Sequence, residues 1–355
     1  MSYYSLEPLK KECEKMKKSP YLRMICGNRT SGKTTALIME SLDIFLHTGK
    51  QTLFFYRTKA EISASHFLYE DVLAIYPAYG IERVVTKKVV QDLVTGVYAL
   101  INGEEKLIAF SIYVKKPDRI KKFSPMFRDV ELGIFDEFLV EDEKEYIENE
   151  VTKIQSLCIS IGRGGGKQSR PFLLYLLSNK TNICNPYFVH LGIIGRIQEN
   201  TRYIRGENFI VEFSRNESAE KAISDNTLVR ALAGNDDTYI NYAMGAGELL
   251  SVNSDIVKKF HGKNRYFATV FIDDFALSVR EFYEDDAYFI SKKIDESSNN
   301  IYYFSRKKTN ILNVRDSGFS DYMFKMYKKG YLYFDSPETR GYFLSIIGKA
   351  VFNRR

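Results

Sequence analysis

Residues 27–35 read GNRTSGKTT. The stretch follows the apolar run YLRMIC at 21–26 and opens KTTALIMESLDIFLHT at 33–48, which Gly49 closes. A buried strand, a glycine-rich turn and a helix starting on Lys-Thr form a shape that holds phosphates. Glycines let the backbone curl so that successive N–H groups point at phosphate oxygens, and the start of the helix adds its positive end. Gly27, four residues, then Gly32-Lys33-Thr34 is the Walker A spacing. The expected ATP-binding set is therefore Gly27, Asn28, Arg29, Thr30, Ser31, Gly32, Lys33, Thr34 and Thr35. Lys33 would reach the β- and γ-phosphates, and the Thr34 hydroxyl would ligate Mg²⁺.

Working outward, GIFDEF at 133–138 ends a second apolar run in two acids. Asp136 suits the Walker B role of holding Mg²⁺. Glu137 beside it suits a general base that activates the attacking water, a group that hydrolytic motors need and kinases do not. LLYLLSN at 173–179 closes another apolar run on Asn179, a residue placed to sense a γ-phosphate. The transition-state charge calls for an arginine. Arg163 in SIGRGGGKQSR is the first candidate, positioned to act on a neighbouring subunit's nucleotide, and Arg170 is the second.

The runs around these motifs set the fold class. QTLFFYR at 51–57 reads as a strand, and VYALINGEEKLIAFSIYV at 97–114 reads as a hairpin about Asn102-Gly103. Continuous apolar strands separated by helices predict an α/β domain with a mostly parallel sheet covered on both faces. Ligands of such sheets bind at the carboxyl ends of the strands. The pattern changes near 206. RNESAEKAISDNTLVRALAGNDDT at 215–238 reads as a charged linker with one or two short helices. Alternating strands return in 264–282, 286–294 and 301–307, followed by a helical aromatic tail. The expected organisation is an ATPase domain over 1–206, a linker or lid over 207–247, and an α+β domain over 248–355.

With 355 residues and 45% hydrophobic content, the chain can bury more than one core. Its four cysteines form no C-x-x-C pair, which points away from zinc and disulfide frameworks and towards a reducing cytoplasm. The charged N-terminus has no signal-peptide core, and no apolar run reaches membrane-span length. A net charge of +6 permits a polyanionic partner. Candidate DNA-phosphate contacts are Arg57, Lys59 and the basic stretch KKPDRIKK at 115–122. The sequence does not assign a partner to the C-terminal basic residues Arg306, Lys307, Lys308, Lys328, Lys329, Arg354 and Arg355. Asp273 and Asp274 raise a two-metal nuclease reading, but VFIDDFALSV at 270–279 reads better as a hairpin with Asp-Asp at its turn.

Taken together, the chain resembles the DNA-packaging (encapsidation) ATPases of the Picovirinae, small podoviruses with protein-primed genomes. The resemblance rests on GNRTSGKTT, on IFDEF, on LLSN followed by NPYF at 185–188, on LVRALAG at 228–234 and on GYLYFD at 330–335. It implies an additional-strand, catalytic-glutamate P-loop ATPase that translocates double-stranded DNA. It implies a homo-oligomeric ring of five subunits docked on the portal of a procapsid in the host cytoplasm, with DNA, an RNA adapter or the portal as the partners open to the C-terminal basic residues. It also implies a C-terminal domain similar to RNase H that has lost its nuclease activity. Lys33, Thr34, Asp136 and Glu137 match the family's nucleotide, magnesium and catalytic positions. Arg163 matches the trans-acting arginine, although the glycines after it depart from the family's charged stretch. Two other readings remain at this stage: a helicase or recombination ATPase acting on single-stranded DNA, and a nucleotide-gated assembly adapter.

Overall fold

In the computed structural model the described residues are 3–140, 143–163, 170–179, 182–198, 200–233, 255–257, 259–272, 275–294, 300–304 and 318–352. Among these residues the strands are β1 (Leu22–Gly27), β2 (Gln51–Tyr56), β3 (Ile81–Val90), β4 (Val94–Ile101), β5 (Glu104–Tyr113), β6 (Val130–Phe135), β7 (Leu173–Asn179), β8 (Tyr203–Arg205), β9 (Phe209–Phe213), β10 (Asn264–Ile272), β11 (Phe275–Phe282), β12 (Ala287–Ser291), β13 (Ile301–Phe304) and β14 (Leu332–Phe334). The helices are α1 (Glu7–Glu14), α2 (Lys33–Thr48), α3 (Ser65–Ile75), α4 (Pro117–Ile120), α5 (Glu150–Ile161), α6 (Pro186–Leu191), α7 (Glu217–Ser224), α8 (Thr227–Ala233), α9 (Phe319–Lys328) and α10 (Pro337–Phe352). Among the described residues, no helix is long and apolar enough to cross a membrane.

The chain divides into two compact units, Met1–Thr181 with Arg202–Gly245, and Asn182–Thr201 with Ala246–Arg355. In the first, nine strands form one sheet in the order β3-β4-β5-β2-β6-β7-β1-β9-β8. The strands from β5 to β9 in that order pair in parallel. The β3-β4-β5 meander is antiparallel, and β8 pairs antiparallel with β9. The strand β7 lies between β1, which feeds the glycine-rich loop, and β6, which ends at Asp136. The hairpin about Asn102-Gly103 is present, with φ of 53° and 76° at those residues, the left-handed pair that a two-residue turn demands.

Alternation along the central strands buries both faces. Ile25, Phe54, Ile134 and Leu177 join Leu37, Ile38 and Leu42 of α2 and Leu9 of α1 in one core. The neighbouring residues Phe55 and Phe135 are also buried, with their rings 6.4 Å apart. Removing such a side chain from water contributes about 1.5–3 kcal/mol each, which is why these segments read as unbroken apolar runs.

The domain boundaries differ from the sequence expectation. The stretch 207–247, read as a linker, begins with β9, which extends the first sheet by pairing Leu22 with Phe209 and Cys26 with Phe213. Ile210 and Val211 are fully buried there, so apolar burial draws the segment back into the first unit. The converse holds for 182–201, which packs with the C-terminal residues. A Cβ on Gly341 would lie 2.4 Å from the Gly195 Cα, so the backbones touch where α10 meets residues 194–196. The fully buried Arg340 donates to the Ile197 carbonyl at 2.8 Å and pairs with Asp255 at 3.1 Å. Asn185 caps α6 by accepting from the Tyr187 and Phe188 N–H groups, which accounts for the NPYF spacing in terms of helix initiation.

The second unit carries a five-stranded sheet in the order β13-β10-β11-β12-β14. The strands β10, β11 and β12 form an antiparallel meander, and the two outer strands run parallel to their neighbours. Ile272 pairs with Phe275, so β10 and β11 form the expected hairpin. Asp273 and Asp274 lie outside the described residues, as do Arg306, Lys307, Lys308, Arg354 and Arg355.

Candidate active site

The loop after β1 turns through Thr30 and Gly32 at φ of 56° and 88°. Gly32 caps α2 in the left-handed region, where a Cβ would also meet the Tyr3 ring at 2.9 Å. The N-terminal segment straps the loop, because the Tyr4 N–H donates to the Ser31 carbonyl at 2.7 Å and the Tyr4 hydroxyl donates to buried Glu212 on β9. Lys33 is buried, and its Nζ donates to the Asn28 carbonyl at 2.6 Å and to Ser31 Oγ at 3.3 Å.

One residue further along α2, Thr34 Oγ1 donates to Asp136 Oδ2 at 2.6 Å, closing a sequence distance of 102 residues. The other oxygen of Asp136 accepts the Glu137 N–H at 2.9 Å. Burial pushes the Asp136 carboxyl up, against the opposing pull of the Thr34 and Glu137 hydrogen bonds and the Lys33 charge. Glu137 sits at φ 54°, an uncommon conformation for a side chain of its size, and is exposed beside Asp136. Asn179 ends β7 in register with Gly27, on the same edge of the sheet. A cleft of about 610 Å³ runs along that edge and takes Arg29, Asp136, Glu137, Asn179, Lys115 and Lys144 into its wall.

These groups fit a nucleotide and a magnesium ion. A hydroxyl and a carboxylate 2.6 Å apart are hard oxygen donors of the kind magnesium takes. A carboxyl whose charge is costly to bury is one that a cation would restore to its ionised form. Lys33 rests on the loop's own carbonyl, the neutral partner that a phosphate oxygen would outcompete for an ammonium group.

The residues read from sequence separate into those that converge and those that do not. The loop from Gly27 to Thr35, Asp136, Glu137 and Asn179 meet on one edge. Arg163 lies exposed just beyond α5 and is not in the cleft wall. Arg170 spends its guanidinium on the Val130 and Phe127 carbonyls, at 2.5 and 2.7 Å, so it serves its own subunit's framework.

Arg57, one of the candidate DNA contacts, has its guanidinium engaged within the chain. Its guanidinium pairs with both oxygens of Glu150 at 2.6 and 2.7 Å, and the two side chains are 10% and 1% exposed. It also donates to the Glu137 and Phe138 carbonyls at 2.6 and 2.7 Å and lies 4.6 Å from the Phe135 ring centroid. Arg57 therefore braces the turn that presents Glu137. Nothing local in QTLFFYR distinguishes a bracing arginine from a solvated one, because its partner lies 93 residues away. Lys59 pairs with Asp92 at 2.9 Å on the surface. In the basic stretch, Lys121 pairs with Asp118 at 2.9 Å, and Lys115 faces the cleft.

Comparison with known proteins follows the same line. The family profile of the podovirus DNA encapsidation protein (Gp16) matches residues 9–350. A DNA packaging protein of Bacillus phage phi29 is 21% identical over 325 residues, which cover 90% of this chain and 91% of the relative. The structure described as the Phi-28 gp11 DNA packaging motor aligns with a TM-score of 0.61 at 19% identity, over 99% of both chains. That of the bacteriophage Phi-29 viral genome packaging motor assembly aligns at 0.57 and 19% identity, over 99% of this chain and 100% of the other. At these identities the structural likeness speaks for a shared fold.

Proposed function

The chain belongs to the podovirus Gp16 family of DNA encapsidation proteins, and from that premise and the site's geometry we propose that it is the ATPase of a viral genome-packaging motor. The observation that carries the reading is the convergence of Lys33, Thr34, Asp136, Glu137 and Asn179 on one edge of the sheet, with Thr34 and Asp136 in direct contact.

In this reading Lys33 leaves the Asn28 carbonyl and pairs with the β- and γ-phosphates of ATP. Thr34 and Asp136 would hold magnesium, which when bound neutralises phosphate charge. Glu137 accepts the proton of the attacking water, at a position held by the grip of Arg57 on its backbone. Asn179 contacts the γ-phosphate, and Arg163 serves the cleft of the next subunit in a homo-oligomeric ring. Support for that last role is its exposure beyond α5 and the family pattern.

The motor acts on double-stranded DNA at the portal of a procapsid. Lys115, Lys116, Arg119 and Lys122 are exposed and offer phosphate contacts that carry no sequence information. The second unit is read as a vestigial RNase H-like domain, a reading that rests on the family resemblance.

The test uses two substitutions. Lys33→Ala should abolish ATP binding and packaging together. Glu137→Gln should bind ATP yet turn it over about 10²–10⁴-fold more slowly, the usual contribution of a positioned general base. Wild-type turnover in the Glu137→Gln protein would remove the catalytic assignment.

A further inference from the structure

Asn28 is the second residue of the phosphate loop and is 1% exposed. Its carbonyl accepts from Lys33 Nζ at 2.6 Å and from the Ser31 hydroxyl at 2.9 Å. Its side chain reaches in a different direction, to the start of α7. There Oδ1 accepts the Asn216 N–H and Nδ2 donates to Glu220 Oε1, both at 3.0 Å. Asn216 is the N-cap of α7 and accepts the Ala219 N–H at 3.1 Å. Glu220 lies one turn on, its carboxylate also held by Arg215 at 2.9 and 3.1 Å. One residue of the loop thus has its backbone on the phosphate-binding lysine and its amide on the first turn of a helix 192 residues away.

The polarity of this contact is specified. The amide offers, from two separate atoms, an acceptor to a backbone N–H and a donor to a carboxylate at the same time. A hydrogen bond to a charged group is worth more than a neutral one, and a buried group left unsatisfied costs more still. A triphosphate that draws Lys33 to itself also withdraws the ammonium group from the Asn28 carbonyl. The change at Asn28 is then felt by the side chain that holds α7.

We propose that Asn28 and Glu220 form a clamp that positions α7 on the phosphate loop and makes α7 respond to whether the loop holds a triphosphate. Asn28 is a positioning residue in this arrangement. The helix it holds is followed in the chain by α8 and then by the residues that enter the second unit. The inference rests on the reading of the loop as an ATP site and goes beyond it by naming the path out of that site.

The test exchanges the polarity of the pair. Asn28→Asp sets one carboxylate against another. Asn28→Asp combined with Glu220→Gln restores one donor and one acceptor in reversed order. Amide hydrogen exchange over 217–224 is measured with and without a fluorescent ATP analogue and magnesium, and the fluorescence reports binding. In the wild type, the analogue should change exchange in α7. In Asn28→Asp, α7 should exchange about tenfold faster or more, the cost of losing a charged hydrogen bond, and the analogue should no longer alter it. The double variant should regain both behaviours. The clamp is overturned if Asn28→Asp exchanges like the wild type, or if the double variant remains like the single one for any reason, misfolding included. Failure of the wild type to bind the analogue would overturn the reading of the loop itself, a result distinct from intact binding without a response in α7.

Discussion

Arg57 and Glu150 illustrate how much of the site rests on residues outside its motifs. The Glu150 carboxylate is 1% exposed and takes both arms of the Arg57 guanidinium. Arg57→Ala would leave that carboxylate without its counter-ion, at a cost of about 3–5 kcal/mol for breaking a buried pair. Thermal unfolding of the variant should show this loss, and ATP turnover should fall with it as the Glu137 turn loosens. Arg57→Leu with Glu150→Leu should recover much of the stability by removing both charges. Turnover should stay low, because the Glu137 and Phe138 carbonyls lose the Arg57 hydrogen bonds. Recovery of turnover in the double variant would separate Arg57 from the catalytic turn. In the second unit, burial pushes Asp255 up to about 6, against the pull of Arg340. A carboxyl raised in the folded state holds its proton more readily there than in the unfolded chain. Its contribution to stability is therefore full below about pH 4 and is lost as pH rises through about 6. Relative to Asp255→Asn, the wild type should therefore lose stability between pH 4 and pH 7.5. Melting curves of the two proteins across that range check the sign, and a wild type that gains relative stability as pH rises would mean that Arg340 outweighs burial.

Among the elements, α10 and residues 194–196 cross at close range in the second unit. Gly341 and Gly195 stand backbone to backbone, and a methyl group on Gly341 would fall 2.4 Å from the Gly195 Cα. Helix propensity alone would favour Gly341→Ala by about 1 kcal/mol. The close approach reverses that sign, since overpacking costs about 1–3 kcal/mol when backbone must move. Gly341→Ala should therefore lower the melting temperature and raise hydrogen exchange in 186–198. A stabilised protein with unchanged exchange would count against the packing. The same steric reasoning fits Gly32, where the left-handed turn and the Tyr3 ring both exclude a side chain.

For the molecule as a whole, the proposed ring calls for an arginine that reaches a neighbouring subunit's nucleotide. Arg170 is committed to its own backbone, whereas Arg163 is exposed beyond α5. Lys33→Ala subunits keep Arg163 but bind no ATP, and Arg163→Ala subunits keep the loop but lack the arginine. Each alone should turn over ATP poorly, since such arginines contribute about 10³–10⁵ in rate in GTPases. Mixing the two should restore turnover where a Lys33→Ala subunit presents its arginine to an intact loop. A mixture no more active than its parts would exclude Arg163 as the trans-acting group.

The strands that flank the motifs, the helix after the loop, the hairpin at Asn102-Gly103 and the placing of two acids at a strand's end were legible in the chain's letters. Each depends on spacing within a few residues: glycines where φ is positive, apolar runs where both faces are covered, acids at a strand's end. Partnership across long separations was not legible. The pairing of Arg57 with Glu150 was not written beside it, and the domain boundary read as a linker until β9 paired with β1. Asn28 read as one more loop residue until Glu220 met its amide. Local conformational preference is written residue by residue, but whether a charge is solvated or buried against its opposite depends on which distant segments the core's packing brings together.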